Sequence, residues 1–128
     1  MTRLEMERVN CLLIDIDASA INQATTLNAL IDNQNVSLIA LRHGHKICVY
    51  LNQCPHQGRR LDYAPGQFLS KDGQLICAAH GASFAMESGL CLQGPCRGES
   101  LQRFECEING NQLWVLLPAD VELKHQID

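Results

Sequence analysis

The sequence predicts an all-β domain of antiparallel sheets, and three observations carry that reading. Short runs rich in Val, Ile and Leu recur along the chain, separated by Gly, Pro, Asn and Asp clusters, as strands are separated by turns. No stretch repeats its apolar residues at a convincing helical interval. Asn109-Gly110, the strongest short-range hairpin signal in the chain, lies between two such runs. With 128 residues the chain suffices for one domain with a modest core, and residues 1–128 are read as a single domain.

Residues 1–8 are a terminal extension to which no function is assigned. Residues 9–16 (VNCLLIDI) are β-branched and apolar enough for a first strand, closed by the polar text DASAINQ. Residues 25–31 give a weaker second strand. Asp32-Asn33-Gln34-Asn35 is turn chemistry, and 36–41 (VSLIAL) is a clear strand. Arg42-His43-Gly44-His45 turns the chain into 46–51 (KICVYL), which makes a hairpin that leads directly to Cys54. Ala64-Pro65-Gly66 and Lys71-Asp72-Gly73-Gln74 are further turns, the second opening a short strand at 75–78. Residues 82–86 run back, Glu87-Ser88-Gly89 turns, and Gln93-Gly94-Pro95 forms a third loop. Residues 101–108 and 112–117 are the last strands, and 118–128 are a polar extension.

Composition narrows the function. The formal charge is −4, yet the segment 52–100 balances four bases (Arg59, Arg60, Lys71, Arg97) against four acids (Asp62, Asp72, Glu87, Glu99). An acidic chain without clustered Lys and Arg is a poor fit to nucleic acid. No apolar run is long enough to span a membrane, and the first ten residues lack the apolar core of a secretory signal, so a cytoplasmic protein without a membrane anchor is expected. Seven cysteines in such a chain argue for metal ligation before disulfides. Cys11, Cys48 and Cys106 sit in strand-like text and read as small buried hydrophobes. Cys91 and Cys96 flank the Gly94-Pro95 turn and also read as buried thiols. His43, His45 and His125 read as solvated polar residues.

Two ligand pairs stand out, Cys54-Pro55-His56 and Cys77-Ala78-Ala79-His80. Thiolates and imidazoles arriving as one Cys/His pair from each of two loops describe a metal site. Zinc accepts two Cys and two His, but its common spacings pair like ligands, whereas each loop here supplies one of each. The order C-x-H then C-x-x-H is that of a [2Fe–2S] centre in which two His replace two Cys on one iron. Gly58 and Gly81 follow the pairs, where a side chain would block the approach of backbone N–H groups to cluster sulfurs.

The matching text, CPHQGRRL at 54–61, CAAHGASF at 77–84, SG at 88–89 and GP at 94–95, resembles the Rieske ferredoxin family. The resemblance covers about two thirds of the chain, fading upstream to about residue 36. It implies the Rieske fold: an antiparallel β-sandwich or barrel with a small cluster-binding subdomain at about 52–97, made of two ligand loops and a proline loop. It implies one [2Fe–2S] cluster, with Cys54 and Cys77 on the inner iron and His56 and His80 on the outer. Gly58, Gly81, Ala82, Phe84, Gly94 and Pro95 would surround it.

Such a protein carries electrons and does not catalyse: the chain has no text for a 2-His-1-carboxylate iron domain and no flavin or nicotinamide motif. The expected role is a soluble, low-potential, one-electron shuttle from a flavin reductase to a terminal oxygenase. Alternatives are a small subunit or regulatory module of a larger redox enzyme, or a structural zinc module. Three departures bear on the site. The spacer between the pairs is a few residues longer than is usual in the family, Ala78 stands where many relatives have Pro, and the hydroxyls that raise the potential in other Rieske proteins are replaced by Ala82 and Phe84.

Overall fold

The computed structural model describes residues 11–17, 21, 24–31, 34–43, 46–55, 60–64, 67–77 and 81–118. Among these residues every regular element is a strand, and every paired strand is antiparallel, as the sequence predicts. The strands are β1 (Cys11–Asp17), β2 (Ala24–Ile31), β3 (Gln34–His43), β4 (Lys46–Leu51), β5 (Leu69–Lys71), β6 (Gln74–Ile76), β7 (Ser83–Ala85), β8 (Cys91–Gln93), β9 (Arg103–Phe104), β10 (Cys106–Asn109) and β11 (Gln112–Pro118). They form three sheets, ordered β1-β11-β10, β2-β3-β4-β9 and β5-β6-β7-β8.

The apolar text of β3 and β4 explains how the sheets are arranged. Strands that are buried on both faces are continuously apolar, whereas strands with one wet face alternate. Residues 36–41 and 47–51 are buried throughout. Val36, Leu38, Ala40, Ile47, Val49 and Leu51 join one core with Leu113 and Val115 of β11. Ile39, Leu41, Cys48 and Tyr50 point the other way, into a second core with Leu75 of β6, Phe84 of β7 and Cys91 of β8. The β2-β3-β4-β9 sheet is thus the shared middle layer. On one side it completes a sandwich, and on the other it carries the four short strands that hold the ligand loops.

Side-chain contacts secure the second interface. The Tyr50 hydroxyl donates to the Met86 carbonyl at 2.8 Å, and burial, with Cys48 adding to it, holds its phenol well above the usual range. Arg103 donates to the Glu87 carbonyl at 3.3 Å and lies 3.7 Å from the Cys48 sulfur. Gly89, at φ +77°, lies over the Tyr50 ring; a Cβ there would fall 2.7 Å from Cε1.

Several boundaries differ from the sequence reading. Gln34 and Asn35 belong to β3, paired with Ile31 and Leu30, not to a turn. The run 101–108 is two strands: β9 pairs with β4 while β10 pairs with β11, so the chain changes sheets at Glu105, whose carbonyl accepts from Leu116 N–H at 2.9 Å. In the β10–β11 hairpin Asn109 pairs with Gln112, so the turn residues are Gly110-Asn111 and not Asn109-Gly110. Gly110 has φ +65° and Asn111 is not in the positive-φ region, the pattern of a type II′ turn. Strands β5 and β8 have no counterpart among the runs read from the sequence, and β6 and β7 are shorter than the runs 75–78 and 82–86. The turn at Lys71-Asp72-Gly73-Gln74 is as expected, with Asp72 and Gly73 both at positive φ. The terminal extensions at 1–8 and 119–128 lie outside the described residues, as do Gly44-His45 and Pro65-Gly66.

Candidate metal centre

The first ligand loop leaves β4 at Leu51. Its base is fixed by Asn52, which is fully buried among polar partners. The Asn52 backbone N–H donates to the Ser37 carbonyl at 3.0 Å. Its side-chain amide nitrogen lies 3.2 Å from Ser37 Oγ and 3.1 Å from Asp62 Oδ1. Its side-chain oxygen accepts from Leu61 N–H at 2.8 Å, which joins the two ends of the loop. Arg60 then clamps the buried Asp62 carboxylate through two bonds, at 2.9 and 2.7 Å. A buried polar group needs its partners, and removing one leaves the others desolvated at a cost of about 1–3 kcal/mol each. Asn52→Ala is therefore expected to lower unfolding free energy by about 2–3 kcal/mol. Asn52→Asp, which sets a second carboxylate against Asp62, is expected to cost more. Urea unfolding of both variants checks the order.

The second ligand loop caps the β6–β7 hairpin. Cys77 N–H donates to the Ala82 carbonyl at 2.7 Å, and Gly81 N–H to the Cys77 carbonyl at 2.9 Å. Gly81 takes φ +72°, which a side chain would strain. Ala82 and Phe84 point into the second core and are fully buried.

The third loop runs from β8 through Gly94 and Pro95, both exposed, and returns by Glu99 N–H to Cys96 O at 2.9 Å and Cys91 N–H to Glu99 O at 2.8 Å. Gly94, at φ +106°, sits against the second ligand loop: a Cβ there would lie 2.8 Å from the Ala82 Cα. The clash would be with backbone, so neither loop can give way cheaply. Gly94→Ala is expected to destabilise the fold by about 2 kcal/mol and to displace the proline loop from Ala82, read as a lower melting midpoint.

The three loops bring Cys54 and Cys77 into one apolar group, at 1% and 0% exposure, neither of them in a disulfide. A thiolate buried among apolar side chains needs a countercharge, and a metal supplies one. The described half of the donor set therefore fits a cluster. His56 and His80 lie outside the described residues, as does Gly58. Among the described residues no three His, Cys, Asp or Glu side chains converge as a metal site. Cys48, Cys91 and Cys96 are buried, as read from the sequence, while Cys106 is only half-buried, its thiol donating to the Ile47 carbonyl at 3.3 Å.

The family model of the Rieske [2Fe-2S] domain matches residues 13–112. The chain belongs to that family. Its cofactor is one [2Fe–2S] cluster. No curated protein matches the sequence. Among solved structures, the ferredoxin of carbazole 1,9a-dioxygenase from Nocardioides aromaticivorans IC177 superposes with a TM-score of 0.63 at 16% identity, over 85% of this chain and 98% of that one. A structure of the reduced complex between oxygenase and ferredoxin in carbazole 1,9a-dioxygenase gives a TM-score of 0.67 at 16% identity, over 87% of this chain. The terminal oxygenase of carbazole 1,9a-dioxygenase from Novosphingobium sp. KA1 gives 0.67 at 12% identity, over 88% of this chain. This Rieske chain spans only 29% and 31% of the latter two. The likeness is one of fold. Among the described residues no helix is long and apolar enough to cross a membrane.

Proposed function

We propose that this Rieske protein is a soluble, cytoplasmic, low-potential one-electron carrier, formed as a single domain, that takes electrons from a flavin reductase and passes them to a terminal oxygenase. Cys54, His56, Cys77 and His80 hold its cluster. When bound, the cluster supplies a one-electron redox couple. The chain's own residues do the rest. Asn52 and the Cys77–Ala82 hydrogen bond fix the roots of the two ligand loops, Gly94 seats the proline loop on the second, and the second core keeps water from Cys54 and Cys77. Electron transfer without catalysis needs no substrate pocket, only a buried donor set close to a surface.

The observation that carries this reading is the pair of cysteines buried together at the roots of two C-x-H and C-x-x-H loops in a chain of the Rieske family. The two-way coverage with a stand-alone ferredoxin supports the carrier role. Anaerobically purified protein is expected to hold about two irons and two sulfides per chain and to give an electron paramagnetic resonance signal after dithionite. It should also be reduced by a flavin reductase with NADH and reoxidised by a terminal oxygenase given its substrate. A colourless protein holding zinc would overturn the reading. A second reading, a Rieske module of a larger redox enzyme, is favoured by the match to 31% of a longer terminal oxygenase chain. Stable co-purification with a large subunit would select it.

A further inference from the structure

The proline loop carries two thiols that the ligand set does not use, and they face each other. Pro95 and Arg97 are exposed, but Cys96 between them is 1% exposed, so its side chain turns inward from the loop. Cys91, at the root of the loop on β8, is equally buried. The Cys96 thiol donates to the Cys91 sulfur at 3.0 Å, and the Cys91 thiol donates to the Gln93 carbonyl at 3.2 Å. Neither cysteine is in a disulfide. Cys48 and Cys106 turn their sulfurs to carbonyls instead, at 3.8 Å from Glu87 O and 3.3 Å from Ile47 O.

A disulfide holds its sulfurs about 2.05 Å apart, so the Cys91 and Cys96 sulfurs have about 1 Å left to travel. The backbone already holds the pair in place through one residue. The Glu99 carbonyl accepts from Cys91 N–H at 2.8 Å, and Glu99 N–H donates to the Cys96 carbonyl at 2.9 Å. The outer bonds of the loop are longer: Gly98 N–H to Cys91 O and Arg97 N–H to Gly94 O are both 3.2 Å, at the weak end of the range. Residues 92–95 are exposed. A thiol reagent therefore reaches the pair by opening the tip of the loop, a local event that costs less than unfolding.

We propose that Cys91 and Cys96 are a redox-sensitive disulfide site that braces the proline loop, with a small disulfide of the glutathione class as the oxidant. One cysteine attacks a sulfur of oxidised glutathione as its thiolate. A protein–glutathione bond forms, the glutathione S–S bond breaks and one glutathione leaves. The second cysteine attacks the protein sulfur of that mixed disulfide and releases the other glutathione. Two electrons pass from the pair to oxidised glutathione, and the two thiol protons end on the two glutathiones released. A thiol reductant reverses the exchange. Disulfides of cytosolic proteins are mostly of this transient kind. The closed ring, 91–96, contains Gly94, which sits against the Ala82 backbone. The bond thus fixes the loop where it covers the second ligand loop. Its effect on the cluster rests on Cys77 and His80 being ligands, whereas the bond itself does not.

The test incubates the native, metal-loaded protein anaerobically with excess oxidised glutathione, quenches by alkylation and maps the peptides by mass spectrometry, with iron measured in parallel. The wild type is expected to lose two alkylatable thiols, to yield a peptide pair joined through Cys91 and Cys96, and to keep its iron. Dithiothreitol should restore both thiols. The melting midpoint should rise by about 5 °C on oxidation, and iron loss to a chelator should slow severalfold. Cys91→Ser and Cys96→Ser are expected to keep their iron, to retain one glutathione on the remaining cysteine and to show no such rise. An unchanged thiol count, a glutathione that stays on the wild type, a bond from either cysteine to Cys54 or another partner, or a bond formed only after iron is lost or the chain unfolds would overturn the proposal. An equal midpoint and equal iron loss before and after oxidation would overturn the brace. Should either variant fail to fold, the wild-type map decides alone. A zinc-bound protein that still joins Cys91 to Cys96 would sink the carrier reading and leave this proposal standing.

Discussion

Replacing Cys54 or Cys77 by serine is expected to remove the iron and to lower the melting midpoint by about 10 °C or more, because metal affinity at such a site is also folding free energy. The two loops share one anchor, and a hydroxyl is a poor replacement for a thiolate toward iron. The loss should be local. The core made by Val36, Leu38, Val49, Leu113 and Val115 lies on the far face of the middle sheet from Cys54 and Cys77, so it is expected to stay folded. Hydrogen exchange should then speed in β5–β8 and leave β1, β10 and β11 protected. Single replacement of Cys11, Cys48, Cys91, Cys96 or Cys106 is expected to leave iron content unchanged. Iron analysis decides this: loss of iron in any of these five would mean that the ligand set has been misassigned.

The family and its cofactor were legible in the sequence because metal ligation constrains residue type and spacing together, and C-x-H with C-x-x-H is short, local text. The central hairpin was legible for a similar reason, since 36–41 and 46–51 owe their apolar runs to burial on both faces. What escaped is what depends on distant parts of the chain. Strands β5 and β8 have three residues each, too few for a period, and β5 is exposed along its whole length. The break at Glu105 is invisible locally because both halves of 101–108 are strands that differ only in partner. Asn52 reads as an ordinary polar residue after a strand, and nothing nearby announces that Ser37, Leu61 and Asp62 will close around it. The inward turn of Cys96 is likewise set by a loop that folds back on β8, not by its neighbours in sequence.

The potential of the centre is expected near the bottom of the Rieske range, at roughly −150 mV. The Rieske proteins of respiratory and photosynthetic cytochrome complexes place a serine two residues after the second His and a tyrosine two residues further on, and their hydroxyls favour the reduced state. Here those positions are Ala82 and Phe84, both buried in the core that holds Cys54 and Cys77. Those proteins also brace the ligand loops with a disulfide, whereas Gln57, Gly58, Ala78 and Ala79 offer no thiol. Restoring one hydroxyl with Ala82→Ser or Phe84→Tyr is therefore expected to raise the potential by some tens of millivolts, where about 59 mV is tenfold in equilibrium. The structure adds a cost to each. A serine at 82 must fit beneath the proline loop, since the Ala82 Cβ is 3.1 Å from where a Cβ on Gly94 would sit. A tyrosine at 84 puts a hydroxyl where water does not reach, and one that finds no sulfur leaves an unmade hydrogen bond worth about 1–3 kcal/mol of stability. Potential and stability therefore separate the outcomes. A hydroxyl that reaches a cluster sulfur raises the potential with little loss of stability, while one that misses lowers the melting midpoint and leaves the potential unmoved. Voltammetry on the wild type and both variants decides the matter: a wild-type potential several hundred millivolts higher would rule out a low-potential donor to an oxygenase, and an unmoved potential in both variants with no loss of stability would overturn the hydroxyl account of it.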